Sequence, residues 1–442
     1  SEAAVSCVAA LESAMREAGA ACAPEARKGR CEVRNIDGDV GRGLVVPMFR
    51  DRGQELYCER PLVYMQTSTS RRAALVCAAC LTPVGSLETQ LAHLGFGSAA
   101  AVDSESRYAR SPTPVPCSEC NEEVFCSETC REWALRESPH AVLCTGRLSP
   151  DRREALRALK ELAAETEDHL LLLAHTVARM VLARREGQEV EDVRLRFARQ
   201  FVSRPWDDED LAELSGETPA QRQELLSRGF DLLERLFAGE ALAEPFLRRE
   251  LFSGLLGTFE LVNMSIDIPH PHNAEGGELC KVLDGARLAR LAGLQDEALD
   301  DAESDGSLMH ADKNAEEEEE EEDDDDEDAE AAAAEAEAAA KRGEIFSNIL
   351  GSALVETLAF TNHSCLPNCC IEFATGGEPR GAGLWVYALA RRPLLPGDEV
   401  LMSYVPSVIG KPLAVRQRKM RKFGFPCRCR SCLTDALLEG DP

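Results

Sequence analysis

The run Asn362-His363-Ser364-Cys365-Leu366-Pro367-Asn368, together with a tail reading Cys427-Arg428-Cys429-Arg430-Ser431-Cys432, constrains this chain more than any other feature. The tail offers three thiolates, and a structural zinc ion takes four ligands in a tetrahedron. Cys365 is the candidate for the missing ligand. A zinc ion shared in this way would clamp the C-terminal segment onto the strand end that carries Asn362 and His363. Any fold for this chain then has to bring the two segments together.

A second group of ligands lies between residues 77 and 144. It comes as four pairs: Cys77 and Cys80, Cys117 and Cys120, Cys126 and Cys130, His140 and Cys144. A CxxC pair lets two thiolates bite one ion from a tight turn. Residues at i and i+4 do the same from one turn of helix, because they share a face. Eight ligands imply two more zinc ions. Spacing alone does not say which pairs share an ion. With 18 cysteines in 442 residues, these spacings argue for metal thiolates in a reducing compartment, the cytoplasm or the nucleus, rather than for a disulfide framework.

The net charge of −29 gives no basic footprint for nucleic acid and favours basic protein partners. Residues 316–328 are all Glu or Asp, yet setting them aside still leaves −16, so the rest is acidic too. No run of eighteen apolar residues exists, so no membrane span is expected. The hydrophobic content of 44% supports a sizeable core, which Leu, Ala and Val must fill because aromatics are only 5%.

Patterning divides the chain. Cys31–Arg34, Gly43–Val46 and Glu55–Glu59 read as short strands broken by glycines and stopped by Pro61. From about 150 to 262 the apolar period is helical, with Leu156, Leu159, Leu162, Leu170–Leu173, Val177, Met180 and Val181 on repeats of three and four. Thr218-Pro219 predicts a helix start. Leu384–Leu389 and Glu399–Tyr404 read as strands, with Pro396-Gly397-Asp398 as the turn before the second. The acidic run reads as a solvated spacer, with recruitment of basic substrates as the other reading, and the following Ala/Glu stretch as an exposed helix. His270-Pro271-His272 reads as a loop, and Cys369 and Cys370 as small buried residues.

NHSCxPN, then Tyr404, then CxCxxC resembles the SET domain of protein-lysine methyltransferases with its post-SET zinc site. The block Cys117–Cys144, with Phe125-Cys126-Ser127 and Trp133 between its pairs, resembles a MYND zinc finger. A SET domain interrupted by such a finger marks the SET–MYND family, and the resemblance covers most of residues 31–433. It implies an α+β fold: a SET β-fold with a knot-like strand crossing, an inserted finger, a helical insert and a post-SET zinc site. The expected division is 1–30 N-terminal helix and extension, 31–70 first SET part, 77–144 finger, 150–262 helical insert, 263–283 cofactor segment, 284–342 acidic linker, 343–410 catalytic core and 411–442 post-SET. The chain stops about ten residues after Cys432, which matches the short branch of the family, without a helical-repeat domain. Two departures stand out: the 36-residue gap between Cys80 and Cys117, and an acidic tract that lies inside the chain.

The resemblance also implies roles. The finger would pair Cys77, Cys80, Cys126 and Cys130 on one ion, and Cys117, Cys120, His140 and Cys144 on the other. It would dock proline-containing peptides. Gly41-Arg42-Gly43, Asn263, Asn362, His363, Tyr404 and Phe425 would hold S-adenosylmethionine, with Tyr404 as the catalytic tyrosine and three zinc ions purely structural. Methyl transfer needs a neutral amine, whereas lysine's reference pKa is about 10.4. A narrow apolar channel disfavours the ammonium and aligns nitrogen, methyl and sulfur. The expected partner is a basic protein substrate with an exposed lysine, histone or not. The alternative is a catalytically weak scaffold that recruits partners through its finger.

Overall fold

A computed structural model of the chain describes residues 31–36, 41–95, 111–214, 216–271, 346–375 and 381–439. The expected N-terminal extension, the acidic linker and His272 lie outside these residues.

Twelve short strands form five small sheets among the described residues. β1 (Glu32–Ile36) and β2 (Gly41–Val45) make an antiparallel pair. β3 (Glu55–Glu59) is one edge of a three-stranded sheet with β11 (Trp385–Ala390) and β10 (Cys369–Ala374). β4 (Val63–Gln66), β8 (Ile349–Leu354) and β7 (Met264–Ile268) make another, with β8 in the middle. β5 (Val115–Pro116) and β6 (Val124–Phe125) form a minimal hairpin inside the cysteine block. Finally β9 (Asn362–His363) runs parallel to β12 (Leu401–Met402). Only two residues of each strand pair there, so the strand expected over Glu399–Tyr404 is shorter than its pattern. The chain leaves it at Ser403, whose hydroxyl donates to the Val405 carbonyl, and enters a tight turn at Pro406–Val408.

Residues 150–262 are helical, as their apolar period predicts. The helix Pro150–Glu165 buries Leu156, Leu159 and Leu162, one stripe at repeats of three. His169–Arg185 is apolar on nearly all sides and is buried accordingly. Thr218 caps Pro219–Leu236: its hydroxyl accepts the Gln221 N–H, and the Gln221 side chain reaches back to the Thr218 N–H. Arg249–Val262 completes the layer and leads straight into β7.

Two cores result. The helical one is rich in leucine and phenylalanine, including Leu173, Leu233, Phe246 and Phe252. The β one is smaller and gathers Leu44, Leu56, Ile349, Val386 and Val400. A joint fastens the cysteine block to the β part. The Arg60 guanidinium lies 4.8 Å from the ring of Trp385 on β11 and 5.5 Å from that of Trp133 on helix Glu128–Glu137. Beside it the Tyr64 hydroxyl donates to the Ala79 carbonyl and accepts the Leu384 N–H.

Candidate functional site

The ligand pairs converge into three clusters of four: Cys77, Cys80, Cys126 and Cys130; Cys117, Cys120, His140 and Cys144; Cys365, Cys427, Cys429 and Cys432. In each, the four donor atoms lie within 4.8 Å of one another. The local structure explains the convergence. Ser127 caps the helix that carries Cys130, accepting that residue's N–H, and a single helical turn carries His140 toward Cys144.

The spacing fits a metal rather than a disulfide. A Zn–S bond of about 2.3 Å gives a tetrahedral edge of about 3.8 Å, whereas bonded sulfurs sit about 2.05 Å apart. The sulfur of Cys126 is 3.6 Å from that of Cys80 and 3.5 Å from that of Cys130. Cys117 lies 3.9 Å from Cys144 and 3.3 Å from Nε2 of His140. Cys365 lies 3.8 Å from Cys427 and 3.6 Å from Cys432. The electrostatics agree. In the third cluster burial pushes the Cys365 thiol up to about 12, while a hydrogen bond with Cys427 pulls Cys429 down to about 3. Four such thiols cannot all ionise side by side unless a cation sits among them. These twelve residues therefore fit three zinc ions.

Next to the third cluster lies a compact group built on β9. The Asn362 amide donates to the Arg42 carbonyl at 3.1 Å and to Glu399 Oε1 at 2.7 Å. Gly43 is tightly packed there: a Cβ on it would lie 2.5 Å from Ile36 Cγ1, 2.6 Å from Glu399 Oε1 and 2.9 Å from Asn362 Nδ2, so a larger residue would have to displace these side chains. Gly41 has φ +77° and faces open space. His363 accepts the Tyr404 N–H on Nδ1 at 3.0 Å, and its Nε2 is 3.3 Å from Cys365 Sγ. Burial holds its pKa down to about 4, so the ring is neutral at pH 7. The Tyr404 hydroxyl donates to the Thr361 carbonyl at 3.1 Å. Burial, with Glu399 as a second cause, pushes Tyr404 up to about 12, so it keeps its proton.

Other expected residues stand differently. The Arg42 guanidinium donates to the Gln200 carbonyl at 2.8 Å and lies over the Phe360 ring, so this side chain is held by the protein. The Asn263 amide donates to Ser352 Oγ at 2.7 Å and sits 3.2 Å from His169 Nε2, while its Oδ1 is buried without a hydrogen-bond partner. Phe425 is 38% exposed, and its ring is 6.5 Å from that of Tyr404. Phe423 is closer, at 5.0 Å, and packs with the tail cluster.

Three participants were not singled out in the sequence. Glu399 stood only as the first residue of the strand expected over Glu399–Tyr404, and its distance from Asn362 along the chain hides their contact. Phe423 was overshadowed by the aromatic nearer the cysteines. The Thr361 contribution is a backbone carbonyl, which leaves no residue-type signal.

Comparison with known proteins adds to this geometry. The SET domain family matches residues 178–405. The histone-lysine N-methyltransferase ATXR2 of Arabidopsis thaliana is 24% identical, over 92% of this chain and 90% of its own length. The protein-lysine N-trimethyltransferase SMYD5 of Homo sapiens is also 24% identical, over 92% and 87%. The N-lysine methyltransferase SMYD2 of Rattus norvegicus is 34% identical, but over only 19% of this chain and 18% of its own.

Proposed function

Since the chain belongs to the SET-domain family, in its SET- and MYND-domain methyltransferase branch, we propose that it transfers a methyl group from S-adenosylmethionine to lysine side chains of proteins. The observation that carries this reading is the gathering of Asn362, His363 and Tyr404 beside the tail cysteines. Without it the motifs would be separate stretches of sequence. The parallel pairing of β9 with β12, extended by the Ser364 N–H donating to the Met402 carbonyl, supports a knot-like crossing that holds the group in place.

The residues present fit the cofactor. The buried, partnerless Oδ1 of Asn263 is an acceptor left for a ligand N–H, and the open face of Gly41 admits a close backbone approach. When bound, S-adenosylmethionine supplies the electrophilic methyl group. The protein's part is positional. Because the Tyr404 hydroxyl spends its proton on the Thr361 carbonyl, its lone pairs remain to accept a hydrogen bond from an incoming amine. A tyrosine that stays protonated orients that amine and does not deprotonate it. The amine must arrive neutral, and a buried surrounding favours that form.

The acidic chain suits a basic substrate protein, and the finger is proposed to dock proline-containing peptides. Thiolate-rich metal sites suit the reducing cytoplasm or nucleus. The scaffold reading has no observation in its favour, since the tyrosine hydroxyl and its partners are in place.

The test is incubation of the full chain with labelled cofactor and a whole-cell extract, beside Tyr404→Phe. The expected result is lysine labelling by the native chain, reduced about 100-fold in the variant, with cofactor affinity unchanged within a few fold. Cofactor binding without labelling of any protein would reject the enzyme in favour of the scaffold.

A further inference from the structure

The imidazole of His363 has no polar atom left for a ligand. Tyr404 donates its backbone N–H to Nδ1, which makes Nδ1 the acceptor and places the ring proton on Nε2. That N–H lies 3.3 Å from the Cys365 sulfur. The ring is 8% exposed and packs 5.3 Å from the Tyr404 ring. One ring thus bridges a cysteine of the tail cluster and the residue two beyond the end of β12.

We propose that His363 acts through its side chain as a positioning residue, tying the Cys365 metal site to Tyr404 rather than touching the cofactor. The physical reason is that each bond fixes the other. A hydrogen bond to a metal-bound thiolate is charge-assisted, so it fixes the ring plane more firmly than a neutral contact would. With the ring fixed, Nδ1 marks one place for the Tyr404 N–H. The hydroxyl at the far end of that residue then meets the Thr361 carbonyl, one residue before β9 begins. The loop is closed: Thr361, His363, Cys365 and Tyr404 brace one another across the pairing of β9 and β12. Partners around metal ligands commonly matter for metal retention and activity by tenfold or more. Here they would matter for both.

The activity half of this inference rests on the methyltransferase reading; the metal half does not. The experiment uses the zinc-loaded full chain and three substitutions. His363→Ala removes both bonds. His363→Asn keeps an acceptor near the place of Nδ1, and His363→Gln keeps a donor near the place of Nε2. Two quantities are read: kcat and KM for labelled methyl transfer, and the rate of zinc release to a chromophoric chelator. The relevant release phase is identified as the one absent from Cys365→Ser.

The alanine variant is expected to lose about tenfold in kcat, with the cofactor KM within about threefold, and to release that zinc about tenfold faster. His363→Asn should recover most of kcat while leaving release fast. His363→Gln should slow release while leaving kcat low. A purely structural role would move both readouts together in every variant and would overturn the inference. So would an unchanged kcat, or a raised cofactor KM at constant kcat, which is the mark of a ligand contact. Should the native chain methylate nothing, the enzyme reading and the activity half fall together, and the release rates still decide whether Nε2 anchors the thiolate.

Discussion

The finger and the tail use the same chemistry on different connectivity. Both finger clusters draw all their ligands from residues 77–144, and each ligand lies near others in the chain. The tail cluster instead takes Cys365 from the middle of the fold and closes on Cys427, Cys429 and Cys432, with Cys427 lying 62 positions after Cys365. A cluster with local ligands holds a local fold. A cluster with a distant ligand holds two parts of the molecule together. The difference teaches that the tail cluster is tied to Tyr404 as well as to the chain's end, because Cys365 touches His363 and His363 touches Tyr404.

The largest expected effect comes from breaking one cluster of each kind. Binding a structural zinc is worth on the order of 10 kcal/mol of folding energy. Cys432→Ser should leave the finger's two ions in place and reduce methyl transfer about 100-fold. Cys130→Ser should lose one finger ion and reduce it about threefold. Metal content by native mass spectrometry, read beside labelled methyl incorporation, checks both. Equal losses in the two variants would end the contrast.

The neighbours Glu59 and Arg60 sharpen it. Glu59 faces the site: its carboxylate accepts the N–H groups of Thr357 and Leu358, on the segment that leads to β9. Burial outweighs those bonds and pushes its pKa up to about 7, from an ordinary value of 4.5. A raised carboxylate contributes stability that is complete below pH 4.5 and is lost as pH rises through 7. Its share of the loss between pH 5 and pH 8 is about 2 kcal/mol. Urea unfolding at the two pH values should show this component in the native chain and not in Glu59→Gln. Arg60 faces the other way, between Trp385 and Trp133. Arg60→Ala should cost about 1 kcal/mol in urea and leave all three ions bound. If it freed a finger ion, the finger would not be the self-contained unit its ligands describe.

How much of this was legible follows the same division. Cysteine pairs announce themselves because their geometry is local, and a CxxC turn looks alike wherever it stands. The helices of 150–262 were legible because a 3.6-residue period survives translation from chain to solid. The tail trio was legible by what it lacked, a fourth ligand. What the residues did not disclose is tertiary. The carboxylate of Glu399 reaches Asn362 only through folding, and a side chain at Gly43 would have to displace that pair. The engagement of Arg42 by Gln200 joins the helical layer to the glycine turn across 158 positions. The end of β12 was misplaced because Ser403 and Tyr404 continue a strand-like pattern while the backbone has already turned.

One strand pairing has a practical outcome. β7 and β8 are adjacent antiparallel strands, with Ile268 opposite Ile349, and His270 stacks on Phe346 at 4.4 Å where the two strands end. The chain thus leaves the sheet and returns to it through a single doorway, already fastened at the threshold. The meeting of these ends is made by described residues on both sides, whatever joins them. This is where a reporter domain or an affinity handle could be spliced into the polypeptide while the strands on either side go on meeting as before.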